Sequence, residues 1–139
     1  MYKRVQLVAL IIFIFFTGIV FADSNPNMKE GLWEITTNVE MPGMPMSMPP
    51  VTNTQCLKKN ALIPQSGQPG QECQFKNLKI MGNTITYEID CTTQNGKMIG
   101  HGKITYNGTS MEGEMVTTIS QGNMKMIQKI SGHYVGKCK

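Results

Sequence analysis

The chain has 139 residues, 13 of them basic and 9 acidic, for a net charge of +4, and only 16% are charged. That length suits one domain with a single modest core. The basic residues form no cluster, which removes the electrostatic footprint that nucleic-acid binding requires.

Lys3 and Arg4 precede an uncharged apolar run from Val5 to Ala22, which ends Val20-Phe21-Ala22 before Asp23. A positive start, an apolar stretch and small residues before the cut define a signal peptide, here over residues 1–22. An uncleaved anchor is the alternative, since the run is 18 residues long. The polar Asp-Ser-Asn that follows favours cleavage. Removing 22 of 139 residues leaves 117 and lowers the net charge to +2, because Lys3 and Arg4 leave with the leader. The expectation is one exported domain over residues 23–139, periplasmic or secreted from a bacterial cell and not membrane-spanning.

Apolar alternation predicts a first strand over about 31–40, through Trp33, Ile35, Thr37 and Val39, and a second over about 51–56. The segment from Met41 to Pro50 holds four prolines and cannot pair as a strand. Residues 57–63 are read as a helical turn before a Pro/Gly-rich loop, 64–72. From Cys73 onward, Gly82-Asn83, Asn95-Gly96, Asn107-Gly108 and Gln121-Gly122 recur every 12 to 14 residues. Asn-Gly favours the type I′ hairpin turn, because both central positions need positive φ. Five further strands follow, over about 74–81, 84–94, 97–106, 109–120 and 123–134.

Treating each turn as a two-residue loop sets the register. It places Ile80 opposite Ile85, Leu78 opposite Tyr87, Tyr87 opposite Ile104 and Cys91 opposite Gly100. It also places Ile104 opposite Met111, Gly100 opposite Met115, Ile119 opposite Met124 and Gly113 opposite Ile130. All four turns agree on one apolar face. The other face carries charges that alternate across strands: Glu88, Lys103 and Glu112 in one row; Asp90, His101, Glu114 and Lys129 in another. One side is wet and one buried. The fold class is therefore all-β, an antiparallel meander of about seven strands forming a strongly curved sheet or small barrel. Gly100, Gly102 and Gly113 fall on the apolar face, where missing side chains permit sharp coiling or a bulky neighbour.

Cys56, Cys73, Cys91 and Cys138 all lie after the leader, and an even number in an oxidising compartment predicts two disulfides. Their spacings of 17, 18 and 47 lack the close pair of a zinc site. Of the three pairings that four cysteines allow, Cys56–Cys73 with Cys91–Cys138 is favoured.

Glu30-Gly-Leu-Trp-Glu-Ile-Thr-Thr37, Met41-Pro-Gly-Met-Pro-Met46 and Thr54-Gln-Cys-Leu57 resemble the opening of a bacterial secreted family, domain of unknown function 3617. Ser131-Gly-His-Tyr-Val-Gly-Lys-Cys138 resembles its closing segment. The resemblance covers the whole mature chain and implies a small exported β protein. It supplies no activity, ligand or catalytic residue.

Function therefore rests on the residues. Met41, Met44, Met46 and Met48 crowd one loop, and thioethers suit Cu(I) or Ag(I); packing over the core is the plainer role. Met98, Met111, Met115, Met124 and Met126, with Tyr87 and Ile104, fall on the apolar face, as ordinary core or as an adaptable pocket for a hydrophobic ligand. His101, between Asp90 and Glu114, is read as part of the surface charge ladder, and His133 has no partner that the register can place. No Ser/His/Asp or Cys/His constellation and no phosphate loop is legible. The expectation is a non-enzymatic binding or accessory protein with no cofactor, whose target is a hydrophobic small molecule or an envelope protein. A soft-metal binder using the Met-Pro loop and an envelope structural protein are the alternatives.

Overall fold

The computed structural model describes residues 25–45, 48–65, 72–94 and 96–139. The predicted leader, Met46, most of the Pro/Gly-rich loop and Asn95 lie outside them. Seven strands form one antiparallel sheet: β1 (Gly31–Glu40), β2 (Val51–Leu57), β3 (Glu72–Met81), β4 (Thr84–Thr93), β5 (Gly96–Asn107), β6 (Ser110–Ile119) and β7 (Met124–Gly136). Their spatial order is β2-β1-β7-β6-β5-β4-β3. The meander from β3 to β7 continues onto β1, and β2 and β3 are left as the two edges of an unclosed, strongly curved sheet.

The strands form where apolar residues alternate. In β4, Ile85, Tyr87, Ile89 and Cys91 are buried; in β5, Gly100, Gly102, Ile104 and Tyr106. Trp33 is fully buried near one end of the sheet. Its ring meets Tyr106 and Tyr134 edge-on, at centroid distances of 5.7 and 6.4 Å, and its Nε1 donates to the Lys29 carbonyl at 2.9 Å. Met28 bridges to Gly108, and the Tyr106 hydroxyl donates to the Leu62 carbonyl. Residues 58–61 correct the expected helical turn. Lys58 and Ala61 form a bridge closed by Ala61 N–H to the Lys58 carbonyl at 2.8 Å, a tight β-type turn.

In β4 to β7 both faces are as expected, but the register differs at two hairpins. Tyr106, not Ile104, pairs with Met111, and Gly102, not Gly100, pairs with Met115. Tyr87 pairs with Gly102 rather than Ile104, and Cys91 with Met98 rather than Gly100. Each slip is two residues, so every side chain keeps its face. The turn explains the slip at β5–β6. Asn107 belongs to β5 and pairs with Ser110, and only Gly108, at φ +67°, takes the left-handed conformation. A single glycine at the first loop position fits a II′-like loop rather than the I′ turn that Asn-Gly suggests. At β6–β7 the expected pairs hold, Ile119 with Met124 and Gly113 with Ile130, around a longer loop in which Gly122 and Asn123 are left-handed.

In β3 the register holds near the turn, Ile80 with Ile85, and then breaks between Lys76 and Lys79. Asn77, at φ +51°, and Leu78 together oppose Tyr87, which is a β-bulge. The expected Leu78–Tyr87 pair is therefore absent: Leu78 is half exposed, and Phe75 pairs with Ile89.

The disulfides are Cys56–Cys138 and Cys73–Cys91, which corrects the expected pairing. The bulge moves β3 by one residue, so that Cys73 stands directly across from Cys91 instead of Thr92. Leu32 pairs with both Cys56 and Gly136, so the segment leaving β7 brings Cys138 round the start of β1 to β2.

The wet face keeps its alternation with different partners. His101 lies across from Glu88 (Nδ1 to Oε1 3.6 Å) rather than Asp90, and Lys103 from Glu114 rather than Glu112. Asp90 instead takes Lys76 at 2.8 Å, and Lys129 takes Glu40 at 2.8 Å. His133 does have a neighbour, Glu34 at 3.6 Å.

Candidate functional site

Because the sheet curls without closing, the concave sides of its edges face one another. Asn53 and Gln55 of β2 and Cys73 and Phe75 of β3 line the same cavity of about 200 Å³. Its deep wall is apolar. Ile35, Tyr87, Ile89 and Met115 are buried there, each the inward residue of its strand, and Ile130 is half-buried. The Cys73–Cys91 bond ties β3 to β4 beside it.

The outer part is polar but uncharged. Asn53 and Gln55 pair with Ile35 and Trp33 across β1, so both point to the concave side. Gln128 of β7 and Gln65 complete a set of four side-chain amides, with Thr37 near them. The Gln55 side-chain amide donates to the Gln65 backbone carbonyl at 2.9 Å, which ties the edge strand β2 to the stretch that follows it. No Asp, Glu, Lys, Arg or His is among the described residues lining this cavity. A second space of about 670 Å³ shares Gln55, Ile63, Gln65 and Phe75 with it and continues outward past Leu57, Leu62 and Ile80, where Lys59 contributes the one charged side chain among its described lining residues.

Tyr87 belongs to the apolar wall. Its ring packs edge-on against Phe75 at 5.7 Å, and its hydroxyl points to the Met115 sulfur at 4.0 Å. Burial pushes its pKa from 10.0 up to about 12, so the phenol is neutral at physiological pH.

Of the apolar-face residues singled out from the sequence, Tyr87 and Met115 line the cavity. Ile104 and Met111 are sealed in the core, Met98 packs against it half-buried, Met126 is half-buried, and Met124 is exposed. The glycine positions are filled by larger neighbours. A Cβ on Gly102 would overlap the Tyr87 ring, one on Gly100 would meet Ile89 Cγ2 at 2.8 Å, and one on Gly113 would meet Ile104 Cγ1 at 3.0 Å. In the Met-Pro loop, Met41 is half-buried, Met44 and Met48 are exposed, and Met46 lies outside the described residues. The amides escaped sequence reading because Asn53 and Gln55 sit in a strand polar on both faces, where alternation gives no inward direction.

The architecture defines a class: an open, strongly curved antiparallel sheet, stapled by two disulfides, with a cavity between its edges. Residues 28–138 match the family described as protein of unknown function (DUF3617), and the chain belongs to that family. No curated protein and no solved structure matches it.

Proposed function

We propose that this protein is an exported, non-enzymatic binding protein that holds a small molecule with an apolar part between the edges of its sheet. The carrying observation is the cavity itself. Six apolar side chains from five strands, Ile35, Phe75, Tyr87, Ile89, Met115 and Ile130, converge on it, and a few amides surround its outer part. Ligand sites in proteins share that composition, a mostly apolar concavity with a small number of placed polar groups. The continuation into the larger space beside Ile63 and Phe75 offers room for a chain longer than the inner cavity alone would take. The two disulfides suit the oxidising compartment to which the predicted leader would deliver the chain.

The test uses protein purified from the periplasm and delipidated. Titration with the naphthylamine dye N-phenyl-naphthylamine should give saturable fluorescence. Ile130→Trp places a larger side chain in the cavity wall and should weaken dye binding at least tenfold while circular dichroism still reports a folded sheet. Dye binding that is absent in the parent, or unchanged in the folded variant, overturns the proposal.

A further inference from the structure

We infer that the cavity selects a neutral amphiphile, a hydrocarbon tail carrying an uncharged hydroxyl, ester or carbonyl head, over a fatty acid or a cationic amphiphile of the same tail. This inference rests on the binding function proposed above and names the ligand class.

The outer part of the cavity carries its polar character on Asn53, Gln55, Gln65 and Gln128. An amide side chain both donates and accepts hydrogen bonds, so it satisfies a hydroxyl in either sense and an ester carbonyl through its N–H. A carboxylate differs, because it only accepts and carries a charge that is costly to bury without a partner. The described lining offers it no Lys, Arg or His, and offers a cationic head no Asp or Glu. The charged side chains are elsewhere. Lys76 is held by Asp90, Lys129 by Glu40, and His101 lies beside Glu88, all on the opposite face of the sheet. Lys59 lines the second space and does not line the inner cavity. The deep wall of Ile35, Ile89, Met115 and Ile130 receives the tail, which places the head among the amides.

The experiment displaces bound N-phenyl-naphthylamine from the mature protein with monopalmitoylglycerol, palmitate and hexadecyltrimethylammonium, each below its critical micelle concentration. The neutral lipid should compete at a concentration at least tenfold lower than either charged one. Gln128→Lys adds a cation to the lining and should bring palmitate level with the neutral lipid or ahead of it. Gln55→Leu combined with Gln128→Leu should keep dye binding and weaken the neutral lipid. Palmitate competing as well as the neutral lipid in the parent, or a Gln128→Lys variant that binds dye but gains nothing for palmitate, overturns this inference and leaves the binding function standing. A parent protein that binds no dye overturns the binding function instead.

Discussion

Tyr87 and Gly102 are cross-strand partners on β4 and β5, and the Tyr87 ring occupies the space that a side chain on Gly102 would need. Gly102→Ala should therefore destabilise the fold by about 1–3 kcal/mol, because an added methyl must displace a packed ring. His101→Ala, one residue away on the wet face, should change stability by about 0.5 kcal/mol or less. Denaturant unfolding of the two variants measures the difference. Greater sensitivity at His101 would mean the two faces are inverted.

Non-reducing peptide mapping should recover Cys56–Cys138 and Cys73–Cys91 and no free thiol. The bonds span 82 and 18 residues, and removing them pairwise should cost roughly 4.5 and 3 kcal/mol in the chain-entropy account. Replacing Cys56 and Cys138 by Ser should be the more damaging change in urea unfolding.

Thr117 is fully buried, and its hydroxyl makes no hydrogen bond to the described residues. An unsatisfied buried hydroxyl carries a desolvation cost with nothing to offset it. Thr117→Val should raise stability by about 1 kcal/mol, read as the shift of the urea midpoint. A loss of stability instead would reveal a partner, such as an internal water, for that hydroxyl.

Burial holds the Tyr87 phenol neutral until about pH 12, against 10.0 for a free tyrosine, and Tyr106 is raised for the same reason. A raised folded pKa contributes stability that is complete below the unfolded value and lost as pH rises through the folded one. Stability should thus fall between pH 10.0 and about 12 for Tyr87. Tyr87→Phe should flatten that fall in denaturant titrations across the same window.

Lys76 holds the Asp90 carboxyl below its ordinary 3.8, first by a hydrogen bond and then by its charge. The sign is opposite to that of the tyrosines: this contribution is present above the ordinary aspartate range and lost as pH falls through the lowered value. Carboxyl-carbon NMR titration should find Asp90 low in the parent and returned upward in Lys76→Met.

The local pattern was sufficient for much of this fold. Period-two alternation placed seven strands within about two residues of the observed ends and assigned faces correctly for β4 to β7, because alternation is a property of each strand alone. It even survived errors in register, since a slip of two residues leaves every side chain on its own side. What the sequence could not carry was whichever feature depends on chains meeting at long range. The residue that takes positive φ within each turn decided the absolute register, and the bulge at Asn77 decided that Cys73 meets Cys91. The closing of β7 onto β1 set β2 and β3 as facing edges, and so joined Cys56 to Cys138 and brought Gln55 to the same cavity as Tyr87 and Gln128. Sequence alternation determined which way side chains point, and the curvature of the assembled sheet alone decided which of them meet across the space it encloses.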